Sequence, residues 1–196
     1  MHALGVIAAT FNRAEHHLLG LFLAYLGFND TMTFLFARLR DNSFRIDLLR
    51  RTVAEKGESD EIISGVNHFC DAFDRAAQNR NILMHSGISL VVEDGANIAV
   101  VFTKGAKQDA TNWNRYLLDV TKLRKIADEV HSVSRFGRRL FVHITSNYPR
   151  PDLYGAANPP EPTPFPDRPP LPVLLNPQNV PTAIASLHRQ PASWEL

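Results

Sequence analysis

Proline is confined to one end of this chain of 196 residues. All 13 prolines lie between Pro149 and Pro191, and residues 1–148 contain none. Because proline lacks a backbone N–H donor and its ring clashes with the preceding helical turn, regular helices and inner strands are largely excluded from residues 149–196. The sequence therefore predicts one folded domain over residues 1–148, followed by an irregular, Pro-rich tail over residues 149–196.

The tail contains two apolar pieces, residues 171–175 and 183–187. Three interpretations stay open. The apolar pieces fasten the tail along the body or a dimer partner, the tail is disordered, or its repeated Pro spacing is recognised by a partner that grips polyproline helices.

Residues 1–148 show the periodicity of a helical bundle. Apolar residues at helical spacing predict helices over residues 3–27, 30–39, 44–56, 60–86 and 120–144. Runs rich in β-branched residues flank Asp94-Gly95, a strong turn signal, and predict a β-hairpin at about 88–103. This hairpin is interpreted as a lip on a cleft, a dimer edge or a connector, and residues 104–113 as a polar loop. The fold class is thus mainly α, with four or five helices and an inserted hairpin.

Composition narrows the class of protein. A hydrophobic content of 44% with 21% charged residues is typical of a soluble globular domain, and the formal net charge of +1 gives no bulk polycationic character. Any RNA site must therefore be local, and the basic face predicted around Arg45, Arg50 and Arg51 is either a solvated surface or a phosphate track. Cys70 is the only cysteine. That fits a reducing cytoplasm, and no stretch is long and apolar enough to predict a membrane span.

The predicted helix over residues 60–86 carries an unexpected charge. Its inward stripe consists of apolar residues until Arg80, which occupies a position where an apolar side chain is expected: Ile62, Val66, Phe69, Phe73, Ala77, Arg80 and Met84. Burying an uncompensated ion costs several kcal/mol. We therefore expect Arg80 to meet an acid, to lie at the edge of a cleft, or to hold an anion supplied from outside.

Glu15 is the first candidate partner for Arg80. It falls inside the apolar stripe of the helix over residues 3–27, between Phe11 and Leu18, so its carboxylate is predicted to point into the bundle. A Glu15–Arg80 pair follows as the simplest prediction. Its role is either a structural salt bridge that fixes helix pairing or the orientation of a catalytic Arg80.

His85 follows Arg80 by five residues, with Ser86 and Gly87 marking the predicted end of the helix. The macrodipole at a helix C-terminus favours the charged form of a histidine. An imidazole with a pKa near neutrality suits either acid or base duty.

The segment from Arg80 through Asn81 to His85 resembles the Arg-x4–6-His motif of the HEPN family, in which a polar residue follows the Arg. The resemblance implies a bundle of four or five helices that dimerises so that two motifs face one composite cleft. It implies metal-independent ribonuclease activity, in which the 2′-hydroxyl of RNA attacks the adjacent phosphate. Arg80 would hold the phosphate, His85 would transfer protons and Asn81 would orient groups. It also implies a setting in toxin–antitoxin or defence systems.

The sequence leaves a second function open. The HEPN family includes binding and scaffolding members, so the same helical body is also interpreted as a non-catalytic interaction or RNA-binding protein whose Pro-rich tail contacts a protein partner or a second copy. No metal or cofactor is predicted, since the adjacent His16 and His17 project about 100° apart on a helix. A homodimer is predicted, because short elements cannot easily hide the aromatic side chains of Phe34, Phe36, Trp113 and Tyr116.

Overall fold

The computed structural model describes residues 2–27, 31, 34–35, 38, 41–93, 97–106, 109–147 and 161–177, with side chains described except at residues 89–113. These residues form four helices, α1 (His2–Leu26), α2 (Asn42–Glu55), α3 (Asp60–Met84) and α4 (Val120–Asn147), and three strands, β1 (Gly87–Glu93), β2 (Asn97–Ala106) and β3 (Asp109–Leu118). The fold is mainly helical, as predicted. Between α1 and α2, Thr31, Phe34, Leu35 and Arg38 are helical, and the remainder of the helix predicted at 30–39 lies outside the described residues.

The helix ends follow from their local sequence. Gly27 and Gly57 adopt φ values of 88° and 69°, a left-handed conformation that terminates α1 and α2. The side chains of Asp41 and Ser59 accept hydrogen bonds from the first turns of α2 and α3. Capping residues and glycines of this kind are visible in the sequence, and the four helices begin and end within three residues of the predicted bounds.

The sheet corrects one prediction. β1 and β2 pair antiparallel from Gly87 opposite Thr103 to Glu93 opposite Asn97, which is the predicted hairpin. The loop predicted over residues 104–113 is wrong, because β2 continues to Ala106 and pairs with β3. Tyr116 and Leu118, two residues apart on β3, are both buried in the core. Polar residues earlier in the strand obscured this period of two in the sequence.

The core lies between α1, α3 and α4. The rings of Phe11 and Phe73 stack with centroids 5.1 Å apart, and Phe69 packs beside Phe73. Gly137 allows α4 to approach both other helices, since a Cβ atom there would lie 2.4 Å from the Phe69 ring and 3.2 Å from Cβ of His17. Phe69 and His17 are thus brought against the same turn of α4.

Residues 161–177, which we call the strap, contain no helix or strand and lie along α3 and α4. The Asn79 amide donates to the carbonyl of Val173 at 2.8 Å and accepts from the N–H of Leu175 at 2.9 Å. Glu129 accepts from the N–H of Val173 at 3.3 Å. Further side chains donate to strap carbonyls: His68 to Pro169, Arg75 to Pro172 and Asn147 to Thr163.

The strap also contributes to the apolar packing. A Cβ atom at Gly65 would lie 2.5 Å from the ring of Phe165, so this glycine gives the ring its place on α3. Residues 161–177 thus lie along helices of their own chain, which is one of the interpretations that the sequence left open. The second apolar piece, residues 183–187, lies outside the described residues. Within the part of the chain that the structure describes, no helix is long and apolar enough to cross a membrane.

Candidate functional site

Arg80 lies on the last full turns of α3 and is half-buried. Its guanidinium carbon lies 5.6 Å from the centroid of the Phe11 ring, and its Nη1 donates to Oδ1 of Asn81 at 3.1 Å. Its Nε is buried and, among the described residues, has no hydrogen-bond partner. The aromatic face and the amide orient the guanidinium without neutralising its charge.

The predicted Glu15–Arg80 pair is wrong. Glu15 forms a salt bridge with Arg45 of α2, with Nη1 and Oε1 3.6 Å apart, and no ion pair between described residues includes Arg80. Glu15 is half-buried and faces α2 rather than α3. Sequence reasoning assigned Arg45 to a solvated or phosphate-binding face, and therefore overlooked it as a partner for an inward acid. The pair joins α1 to α2, which is the structural role considered for Glu15.

His85 is the C-cap residue of α3 and is exposed. Its backbone N–H donates to the carbonyl of Asn81 at 3.2 Å. Ser86 donates its hydroxyl to the carbonyl of Ile82, so both residues after the helix satisfy carbonyls of its last turn. The backbone of His85 is thereby fixed at the helix end, and its side chain is exposed.

Asn81 connects the two motif residues. Its side-chain oxygen accepts from Arg80, and its backbone carbonyl accepts from the amide of His85. Five residues of helix separate Arg80 and His85 by about 7.5 Å along the axis and by about 140° around it. One copy of the chain thus presents a fixed cation and an exposed imidazole in diverging directions around one asparagine.

The thiol of Cys70 is another potential nucleophile, but its burial makes it unreactive. It is fully buried, and burial raises the pKa of its thiol to about 12. Its side chain is part of the hydrophobic core.

A second concentration of charge lies where α1 meets α4. A cavity of about 550 Å³ is lined by Asn12, Arg13, His16, His17, His131, Ser134, Arg135 and Arg138. An adjoining cavity of about 620 Å³ shares Arg135 and Arg138 and adds Arg139 and strap residues that include Thr163 and Asp167. We call these two cavities together the basic groove. Neither is lined by Arg80 or His85.

The sequence contained a signal for the basic groove. Basic residues of α4 recur at spacings of four, three and one residues from His131 to Arg139. They flank an apolar stripe, and in the sequence alone this pattern is typical of an ordinary solvated helix face. Only the packing of α1 against α4 shows that Arg13, His16 and His17 lie opposite them.

No protein-family model, curated protein or solved structure matches this chain at significance. Among the described residues, no three His, Cys, Asp or Glu side chains gather into a group that could hold a metal ion.

Proposed function

We propose that this chain is a HEPN-like, metal-independent endoribonuclease that acts as a homodimer. One observation carries the proposal, which is the state of Arg80. It is a half-buried arginine that no described carboxylate neutralises, with an unpartnered buried Nε and a guanidinium fixed by Phe11 and Asn81. Of the three explanations for an inward arginine, an acid partner finds no support among the described residues. A cleft edge that receives an anion from outside is what a phosphate-binding arginine requires.

The chemistry follows from the two motif side chains. In the transesterification, the 2′-oxygen of RNA bonds to the adjacent phosphorus while the bond from phosphorus to the 5′-oxygen breaks. A base removes the proton of the 2′-hydroxyl, and an acid delivers a proton to the departing 5′-oxygen. His85 performs these transfers, and Arg80 stabilises the charge that develops on the phosphate oxygens.

The homodimer supplies a second copy of the Arg80–His85 motif to the site. Because Arg80 and His85 diverge around α3, a single motif makes a small site, and two motifs facing one cleft provide two cations and two imidazoles. Exposed apolar side chains support self-association, since Phe34, Leu35 and Phe44 are 57%, 52% and 52% exposed. Two histidines also allow one to act as base while the other acts as acid.

The proposal is tested by RNA cleavage in EDTA. We expect Arg80→Lys to lower the rate by about 10²–10³-fold, because lysine keeps the charge but loses the planar fork that binds phosphate. We expect His85→Gln to lower it by about 10²–10⁴-fold through loss of proton transfer.

Arg124→Gln is the matched control, because its side chain is exposed on α4 and takes part in none of the ion pairs between described residues. It should cleave as the wild type does, and thermal melting of all four proteins verifies the fold. Equal activity in wild type, Arg80→Lys and His85→Gln would refute the assignment.

A second candidate function, a non-catalytic interaction protein, is favoured by one specific observation. The surface of α3 and α4 already binds an extended Pro-rich segment through side chains that pair with its backbone, led by Asn79. In that case Arg80 and His85 are structural residues, and no RNA is cleaved. Absence of cleavage by wild-type protein that is folded and dimeric would favour this function over the first.

A further inference from the structure

The basic groove is formed by two helical faces that oppose each other. From α1, residues Arg13, His16 and His17 line it, and from α4, residues His131, Arg135 and Arg138. The α4 residues from His131 to Arg139 extend about 12 Å along the helix axis, at 1.5 Å per residue. Cationic or titratable side chains thus follow the groove over two turns of α4.

Glycines bring the two faces together. A Cβ atom at Gly137 would lie 3.2 Å from Cβ of His17, and one at Gly20 would lie 3.4 Å from the ring of Phe141. At both positions the missing side chain lets α1 and α4 pack closely. The arginines on either side of the contact are therefore held near one another rather than spread over a convex surface.

No ion pair neutralises the arginines of the groove within the described part of the chain. None of Arg13, Arg135, Arg138 and Arg139 appears in an ion pair there. Asp167 of the strap, the one acid that lines the adjoining cavity, forms no salt bridge with them. Since the whole chain carries a formal net charge of only +1, this groove concentrates a positive potential that the overall composition does not reveal.

His17 responds to that potential. Burial, followed by the neighbouring charges of His16 and Arg138, lowers its pKa below the ordinary value. An anion in the groove would oppose the two charge effects and raise the pKa again. The imidazole is therefore a built-in reporter of anion binding.

We propose that the basic groove binds the phosphate backbone of single-stranded RNA, and so extends the substrate contact beyond Arg80 and His85. The identity of the ligand rests on the proposed ribonuclease function, whereas the presence of an anion site rests on the groove itself. Arginine forks bind phosphate oxygens in pairs, and several forks in a row suit a ligand with repeated charges.

The shape of the groove favours a chain of phosphates over one small anion. The two cavities share Arg135 and Arg138 in their linings, so these two side chains can contact a ligand on the α1 side of α4 and on the strap side. A single phosphate is usually held by converging backbone N–H groups, whereas this groove is lined by side chains spaced along two helices. Backbone contacts of this kind position RNA without reading its sequence.

The test uses a labelled oligoribonucleotide of mixed sequence in which every sugar is 2′-O-methylated. This probe lacks the attacking hydroxyl and cannot be cleaved by the proposed reaction, so binding is measured independently of catalysis. Fluorescence anisotropy is recorded at salt concentrations from about 50 to about 200 mM. The variants are Arg135→Gln/Arg138→Gln and, as a control of equal charge change on exposed positions of α4, Lys122→Gln/Arg124→Gln.

We expect the groove variant to lose roughly tenfold in affinity and its salt slope to fall by about 1.4, which is two phosphate contacts at about 0.7 each. The control should bind like the wild type. In NMR titrations of the full chain, the probe should raise the pKa of His17.

An equal loss in both variants, or no loss in either, would overturn the groove as the RNA site. A rise in the pKa of His17 with pyrophosphate but not with the oligonucleotide would overturn RNA as the ligand. If the probe binds through the groove but unmodified RNA is not cleaved, the groove stands and the ribonuclease assignment fails.

Discussion

Two polar residues with different surroundings, Asn79 and Glu129, hold the same strap residue. Asn79 is almost fully buried, and its side-chain amide donates to the carbonyl of Val173 and accepts from the N–H of Leu175. Glu129 is partly buried and accepts from the N–H of Val173. Burial is the largest influence on Glu129 and raises the pKa of its carboxyl, although the hydrogen bond from Val173 and the charge of Lys125 act in the opposite direction. The folded state thus prefers this acid protonated more than the unfolded state does.

The sign of that shift predicts a pH dependence. A raised folded pKa contributes stability below the unfolded value of about 4.5, and this contribution is lost as pH rises through the folded pKa. We expect Glu129→Gln to abolish this loss of stability at rising pH, because the glutamine oxygen still accepts from the N–H of Val173 and the side chain carries no charge to desolvate. Urea denaturation from pH 4 to 7 measures it.

Relative to wild type, the free energy of unfolding of the Glu129→Gln variant should increase as pH rises through the folded pKa of Glu129. Asp128→Asn, a charge-removing change at the exposed neighbouring position, provides the baseline. Parallel pH profiles for wild type and Glu129→Gln would show that the carboxyl does not titrate with folding.

At the residue scale, the sequence identified which side chains are unusual but not their partners. Arg80 and Glu15 were both located correctly as charges within apolar stripes, since periodicity alone determines that. Their pairing was wrong because α2 supplies Arg45 from a face that looks solvated in one dimension. Choosing between two arginines requires the angles at which helices pack, and these are not encoded in the period of a single helix.

At the scale of elements, the helices were predictable and the strap was not. Caps and glycines mark each helix end locally, whereas the strap is held by bonds between side chains and backbone over about a hundred residues of sequence, as with Asn79 and Leu175. Such contacts leave no periodic signal. β3 was missed for a related reason, because polar residues dominate its first half in the sequence and obscure the alternation that ends in the buried Tyr116 and Leu118.

The strap contact predicts the cost of removing Asn79. Its amide pairs with two strap backbone groups, so Asn79→Ala leaves a carbonyl and an N–H without their partner. We expect a loss of about 1–3 kcal/mol in the free energy of unfolding, measured by urea denaturation.

Gln78→Ala is the matched control for that substitution. Gln78 is exposed and bonds only to Asp74 within α3, so its loss should stay within about 0.5 kcal/mol. If the two alanine variants were equally stable, the strap would not be fastened by Asn79.

At the scale of the whole molecule, the proposed composite cleft requires two copies of the chain. The strap lies along helices of its own chain, and so it is not needed to join them. We expect light scattering at tens of micromolar to give the mass of a dimer for residues 1–196 and for a chain ending at Tyr148, with circular dichroism to verify that the shorter chain remains helical. A monomer in both would contradict the composite cleft. Dissociation of the shorter chain alone would show that the tail joins the copies.

In the proposed reaction, Arg80 and His85 cleave RNA through the 2′-hydroxyl of the RNA itself. The most direct measurement uses a 2′-O-methylated oligonucleotide that contains one ribonucleotide, incubated with the protein in EDTA, followed by analysis of the product ends. We expect a single cut on the 3′ side of that ribonucleotide, leaving a 2′,3′-cyclic phosphate and a 5′-hydroxyl, and cleavage at least about 10²-fold slower with Arg80→Lys or His85→Gln. Cleavage of the fully methylated strand, products with a 5′-phosphate, or an unchanged cut in either variant would contradict it.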